Sequence, residues 1–242
     1  MSELLQHHNR SVISREDLWE LMKQLHPDLS RDSIDWFVYN CQEQNIFKRI
    51  GRNRYTLSGS ELDRDMYDPG KTEAVKRVEQ ALERLEGSCR YQVWDSGQLE
   101  EFMPDCRRLP RIVFAELEKG YMEDGFQQLK RRLNGNVWFK PERKYFKKYL
   151  EEEAVIVLPL PSEAPKHKED VHQVRLEKLI VDLLANKLVL ELLSEEERIA
   201  FCRSAFERYV VEESGLFRYA RRRNKEAAVR DMIGRAGICL VG

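Results

Sequence analysis

Four cationic side chains with no carboxylate between them lie close together near the N-terminus of the sequence. They are Lys48, Arg49, Arg52 and Arg54. β-branched and aromatic residues flank a Gly/Asn turn at 51–53, which predicts a β-hairpin. Lysine and arginine neutralise the phosphates of nucleic acids. We therefore expect a basic hairpin that contacts phosphates beside a groove.

Polar side chains of a different kind precede this hairpin, on the outward face of a predicted helix. The outward positions are Arg31, Asp35, Trp36, Tyr39, Asn40 and Gln42. The amides of Asn40 and Gln42 can read base edges, and Tyr39 can contact the DNA backbone. We expect these three residues, together with Arg31, to bind DNA.

Two short amphipathic helices are predicted to position these groups. Ser14 is expected to cap the first helix, with Asp17 three residues later, and His26-Pro27 to end it. Ser30 is expected to cap the second. Apolar residues at helical spacing give the core faces, namely Leu18, Leu21, Met22 and Leu25, then Ile34, Phe37, Val38 and Cys41. Two such helices followed by a basic hairpin are typical of a winged helix-turn-helix.

The same segment also supports a second interpretation. Asp32, Asp35 and Glu43 lie on the second helix and repel phosphate. Winged helices also serve as modules that dock other proteins. The sequence therefore favours DNA binding and leaves a protein-interaction scaffold as the alternative.

The composition is that of an ordinary globular protein with room for two domains. The chain has 242 residues, of which 42% are hydrophobic and 34% charged. Its formal net charge is -1, so any attraction to nucleic acid has to come from local patches.

Cysteine and histidine usage predicts neither disulfides nor a metal site. The five cysteines are widely spaced and form no CxxC pair, and the histidines lack metal-ligand spacing. No cofactor is expected. The N-terminal residues do not resemble a signal peptide, and no apolar stretch approaches the roughly 18 residues that span a membrane. We expect a cytoplasmic protein without a membrane partner.

A Ser-, Gly- and Asp-rich stretch at 58–70 marks a domain boundary. It divides the chain into a winged helix-turn-helix at 1–60 and a second domain at 61–242. Four strand patterns alternate with helix patterns in the second domain, at 91–94, 111–117, 137–139 and 154–158. The last third is helical. The expected fold class is α/β (α+β), with a small mixed sheet, helical crossovers and a helical C-terminal part.

Two further basic segments have alternative uses. Cations and aromatic residues interleave at 130–149, which suits either a nucleic-acid backbone or the solvated faces of two helices. Arginines are also concentrated near the C-terminus, at Arg218, Arg221, Arg222 and Arg223. Their guanidinium groups could bind phosphates or an acidic partner, or could pair with nearby glutamates.

The order of these segments resembles that of AbiEi-type antitoxins, which are encoded beside AbiEii-like nucleotidyltransferase toxins in type IV toxin-antitoxin systems. The resemblance rests on YQVWDSGQLEEFM at 91–103, RIVFAELEKGYMEDGFQQLKRRLNGNVWFKP at 111–141, VRLEKLIVDLLAN at 174–186 and LFRYARRRN at 216–224. It implies a protein that binds operator DNA, represses its own operon and opposes a nucleotidyltransferase toxin, without requiring a stable complex with that toxin.

One enzyme hypothesis arises from the acidic residues Asp95, Glu116 and Glu118 with Lys119. Two carboxylates and a lysine serve metal-dependent nucleases. The spacing places Lys119 on the opposite strand face from both Glu116 and Glu118, however. No nucleophile triad or phosphate-binding loop stands out either. We therefore expect a non-enzymatic protein, with a nuclease-like fold of weak or no catalysis as an alternative.

Overall fold

The chain divides into two compact units in the computed structural model. The first comprises Met1–Met66 with Arg208–Ser214, and the second comprises Tyr67–Glu207 with Gly215–Gly242. The residues described are 12–25, 27–28, 30, 33–51, 53–57, 65–103, 108–133, 135–144, 153–167, 170–238 and 240.

Two helices and a three-stranded antiparallel sheet form the first unit. The helices are α1 (Arg15–Leu25) and α2 (Ser33–Glu43). The strands are β1 (Ile13–Ser14), β2 (Phe47–Gly51) and β3 (Arg54–Leu57), in the order β1-β3-β2. A parallel pair, β4 (Asp65–Met66) and β9 (Tyr209–Val210), completes the unit.

Local sequence signals explain where these helices begin. The Ser14 amide donates to Asp17 Oδ2 at 2.8 Å, and the Asp17 amide donates to Ser14 Oγ at 3.0 Å. This is the predicted reciprocal cap of α1. The described part of the second helix begins at Ser33, whose amide donates to the Ser30 carbonyl at 3.1 Å.

The predicted apolar faces form the core of the first unit. Leu18, Leu21 and Met22 of α1 are buried, and so are Ile34, Val38 and Cys41 of α2. The hairpin closes this core with Phe47 and Tyr55, whose ring centroids are 5.1 Å apart.

A four-stranded mixed sheet is the centre of the second unit. Its strands are β5 (Tyr91–Asp95), β6 (Ile112–Leu117), β7 (Asn136–Phe139) and β8 (Ala154–Pro159), in the order β5-β6-β8-β7. β5 is antiparallel to β6, whereas β6, β8 and β7 run parallel. All four predicted strands are confirmed, and the fold is mixed α/β.

The helices after residue 66 first alternate with the strands and then form the helical C-terminal part. They are α3 (Glu73–Leu82), α4 (Gly97–Glu100), α5 (Met122–Arg132), α6 (Leu176–Ala185), α7 (Val189–Leu192), α8 (Glu195–Arg208), α9 (Glu213–Arg222) and α10 (Glu226–Arg235). Ser194 and Glu197, three residues apart, predict a cap for α8, and the Ser194 amide donates to Glu197 Oε2 at 2.7 Å. Pro141 also predicts the start of a helix, most of which lies outside the described residues, at 145–152.

The two faces of the four-stranded sheet differ in chemistry. One face carries Tyr91, Val93, Ala115 and Leu117, which form an apolar core with α3 and α5. Because side chains alternate along a strand, Trp94 and Glu116 belong to the opposite face. There the Lys178 ammonium of α6 lies 5.6 Å from the Trp94 ring centroid. This second face therefore combines aromatic residues with buried charges.

Gly125 provides a test of the contact between α5 and β6. A Cβ at this position would lie 2.4 Å from Leu117 Cδ2, and Leu117 is fully buried. We expect Gly125→Ala to lower the free energy of unfolding by about 1–3 kcal/mol through overpacking, measured by urea denaturation. Gly234→Ala is the matched control, because it also lies in a helix and its Cβ would meet nothing within 4 Å. It should stabilise by up to about 1 kcal/mol. Equal effects of the two substitutions would contradict the close packing of α5 on β6.

Candidate functional site

The outward face of α2 presents large side chains to solvent. Trp36 is 72% exposed and Tyr39 is 61% exposed. Gln42 is exposed three residues after Tyr39, so these two side chains share a stripe of the helix. Asn40 is half-buried, and its Nδ2 has no hydrogen-bond partner. Arg31 lies outside the described residues.

An ion pair moderates the acidic character of α2. Arg15 Nη2 lies 2.7 Å from Asp35 Oδ1. Both side chains are accessible to solvent, so the pair adds little stability. The pair matters more for the charge of the helix surface, because Arg15 neutralises one of the carboxylates that would repel phosphate.

The basic hairpin distributes its cations over both of its faces. Arg49 pairs in register with the buried Tyr55, and Lys48 pairs with Thr56. Since consecutive residues point to opposite faces, Lys48 and Arg54 share one face and Arg49 belongs to the other. Lys48 Nζ also lies 3.5 Å from Asp65 Oδ1. Arg52 lies outside the described residues.

The second unit contains a buried charge cluster, which we define as Glu116, Lys178, Asp182, Tyr219 and Arg223. Lys178 Nζ donates to Glu116 Oε1 at 2.9 Å and to Asp182 Oδ2 at 2.6 Å. Tyr219 donates its hydroxyl proton to Asp182 Oδ1 at 3.2 Å, and Arg223 Nη1 lies 3.3 Å from the same oxygen. Charges from β6, α6 and the end of α9 are thereby joined in the interior.

The cluster leaves one buried acceptor unused. Glu116 Oε1 also accepts from Trp94 Nε1 at 3.1 Å, whereas Glu116 Oε2 is buried without a hydrogen-bond partner. Burial raises the pKa of the Glu116 carboxyl, against the opposing attraction of the Lys178 ammonium. Burial by itself would lower the pKa of Lys178, but Asp182 and Glu116 outweigh it and raise that pKa. Lys178 is therefore charged.

A cleft of about 1090 Å³ lies beside this cluster in the second unit. Residues that follow β6, β7 and β8 line it, including Lys119, Lys140 and Leu160, together with Arg90, which precedes the antiparallel β5. Lining residues with cationic side chains are Arg90, Lys119, Lys140, Arg143, Lys187, Arg222 and Arg223. Those with carboxylates are Glu116, Glu118 and Glu142. The cleft therefore carries a net positive charge at the carboxyl edge of the parallel strands.

The four C-terminal arginines do not form one site. Arg218 is exposed on α9, and Arg221 pairs with Glu226 at 3.3 Å, as one predicted alternative had it. Arg222 donates to Ser162 and, like Arg223, lines the cleft. The four arginine side chains therefore have three different environments: solvent, a local ion pair and the cleft.

The structure separates Asp95 from the other residues of the nuclease hypothesis, Glu116, Glu118 and Lys119, which all line the cleft. Asp95 pairs in register with Val113, and Glu116 pairs with Gln92, so Asp95 and Glu116 lie on opposite faces of the sheet. Asp95 instead accepts hydrogen bonds from Thr72 and from the Gln98 amide. Two carboxylates separated in this way cannot share one metal ion.

Metal, cysteine and membrane features concern only part of the chain. Among the described residues, no group of three or more His, Cys, Asp or Glu side chains could hold a metal ion. Cys41, Cys89 and Cys202 are buried free thiols, while Cys106 and Cys239 lie outside the described residues. No helix in the described part of the chain is long and apolar enough to cross a membrane.

Sequence comparison places most of the chain in one family. A family model described as a family of unknown function (DUF6577) matches residues 33–237, from α2 through α10. No curated protein matches the chain.

The charge cluster can be tested by removing its central cation. Lys178→Met leaves Glu116 and Asp182 buried without their ammonium partner, so we expect it to lower the free energy of unfolding by roughly 3–5 kcal/mol. Lys76→Met breaks an exposed pair with Glu73 and should change the free energy of unfolding little. Urea denaturation of both variants decides the point. Similar small losses for both would mean that Lys178 is not a buried, obligatory charge.

Proposed function

The chain belongs to the DUF6577 family, whose function is unknown, and from its own contacts we propose that it is a DNA-binding transcriptional repressor whose first unit is a winged helix. The observation that carries this proposal is the exposed face of α2 next to a basic hairpin. Tyr39 and Gln42 share a solvent-facing stripe there, and Trp36 lies beside them. In this proposal α2 enters the major groove and the hairpin is the wing.

Charge placement supports a role for the hairpin beyond closing the core. Phe47 and Tyr55 fill the core, while Arg49 is exposed and Arg54 is partly exposed. Cations on both faces of a narrow ribbon can contact phosphates on either side of the groove that it follows. Arg15 offsets the charge of Asp35 on the groove-reading helix. These features together give a surface suited to phosphate.

We further propose that the protein acts in the cytoplasm as an antitoxin, without catalysing a reaction. Support for this step comes from the resemblance of residues 91–224 to AbiEi-type antitoxins. The partner would be a nucleotidyltransferase toxin encoded beside it. Co-expression with the neighbouring gene tests the step: growth should stop with that gene alone and recover with both, and continued arrest with both would contradict it.

A protein-docking winged helix is the second candidate. Exposed Trp36 and Tyr39 favour it, because aromatic residues are enriched at the centres of protein interfaces. A docking module would bind its own upstream DNA no better than a scrambled duplex. Binding of wing and α2 variants to the upstream and scrambled duplexes distinguishes a DNA-binding protein from a docking module.

If the hairpin is a wing that contacts phosphates, its arginines should contribute to the salt dependence of DNA affinity. Arg49→Ala/Arg54→Ala should weaken binding to upstream and scrambled duplexes alike, because phosphate contacts carry no sequence information. The slope of log K against log salt should flatten by roughly 0.9 for each lost phosphate contact. Fluorescence anisotropy over a series of salt concentrations measures both quantities. Lys76→Ala/Arg84→Ala removes two exposed cations from the second unit and should change neither.

The outward stripe of α2 makes a different prediction. Gln42→Ala should reduce the preference for the upstream duplex by a factor of roughly 10–100, since a good base contact contributes about 1–3 kcal/mol. Binding to the scrambled duplex should change little. The same anisotropy titration, at a single salt concentration, gives both affinities. An unchanged preference would place sequence reading elsewhere in the protein.

A further inference from the structure

The cleft of the second unit lies where mixed sheets commonly bind ligands. Its walls include residues that follow three parallel strands, such as Lys119 after β6, Lys140 after β7 and Leu160 after β8. Crevices at the carboxyl ends of parallel strands are the usual ligand sites of α/β folds. The volume of about 1090 Å³ is large enough for a nucleotide-sized molecule.

Three of the cations at this cleft are uncommitted. In the part of the chain that the structure describes, the exposed side chains of Arg90, Lys119 and Lys187 form neither an ion pair nor a cation–π contact, whereas Lys140 Nζ lies 4.8 Å from the Phe139 ring centroid. Arg143 and Arg223, by contrast, pair with Glu191 and Asp182. The uncommitted cations can move to a phosphate without breaking existing contacts, so the entrance favours an anionic group.

Apolar surface adjoins these charges. Leucine and proline side chains contribute to the lining, among them Leu158, Leu160, Leu188, Pro159 and Pro161. An inorganic anion would leave this surface unused. A ligand that joins an anion to a flat ring would cover it.

Glu116 indicates that a ligand of the cleft should also carry a hydrogen-bond donor. This residue lines the cleft and is 2% exposed, yet its Oε2 has no hydrogen-bond donor. A buried carboxylate oxygen without a donor is costly, and a ligand hydroxyl or amino group would satisfy it. We propose that the cleft binds a nucleoside phosphate, with the phosphates on Arg90, Lys119 and Lys187 and the sugar or base donating to Glu116. This site is independent of the proposed DNA binding, which involves the first unit.

Isothermal titration of the full-length protein in EDTA tests the proposal with four probes: ATP, adenosine, tripolyphosphate and a short single-stranded RNA. ATP should bind, and adenosine and tripolyphosphate should each bind at least tenfold more weakly, because each lacks part of the recognised chemistry. Lys119→Ala/Lys187→Ala should weaken ATP binding at least tenfold. The charge-matched control Lys76→Ala/Arg84→Ala should leave it unchanged.

Glu116→Gln tests whether the sugar or base of the ligand donates a hydrogen bond to Glu116. It keeps the side-chain shape but replaces one acceptor oxygen with a donor, so it should weaken ATP more than tripolyphosphate. Should this variant fail to fold, the comparison of ATP with tripolyphosphate on the unaltered protein still decides whether the nucleoside is recognised. Equal binding of those two probes, equal losses in the control variant, or binding of RNA alone would each overturn the proposal. Loss of DNA binding in the wing variant would have no bearing on it.

Discussion

The contact of Lys178 with two buried carboxylates is the constraint on which the second unit depends most. An ammonium group with no exposed surface carries a large desolvation cost, which Glu116 of β6 and Asp182 of α6 offset through direct hydrogen bonds. Asp182 also binds Tyr219 and Arg223. The network therefore specifies how α6 lies on the sheet and where α9 ends against it. Displacing α6 would leave these charges buried without partners, which is strongly destabilising.

The same network leaves one acceptor oxygen without a donor beside the neighbouring cleft. Trp94 and Lys178 both donate to one oxygen of Glu116, so the other oxygen remains without a donor. Arg223 is held in the cluster, while Lys119 and Lys187 are left for the entrance. A polar acceptor in the interior and exposed cations at the rim are thus consequences of how the fold neutralises its buried charges.

The sequence predicts helix caps and strands well, because the residue patterns that mark them are local. The reciprocal cap of Ser14 with Asp17 is confirmed, and so are the cap at Ser194 and the four strands of the second unit. Each depends on residues a few positions apart. Strand order is different, because β8 lies between β6 and β7, and that arrangement follows from packing between segments distant in the chain. The local pattern carries no information about it.

The buried cluster was missed for a related reason. Helical spacing in α6 predicts a core face of leucines and isoleucine, but Lys178 and Asp182 are also buried. A helix covered on all sides has no solvated face for its charges, and the one available signal was a Lys/Asp pair at i and i+4 in an otherwise apolar helix. The C-terminal arginines are close together in sequence but not in their contacts. Arg218 is exposed to solvent, Arg221 pairs with Glu226, and Arg222 and Arg223 line the cleft. Clustering in sequence indicates a shared chemistry, but the helical turn decides which of the side chains can act on one ligand.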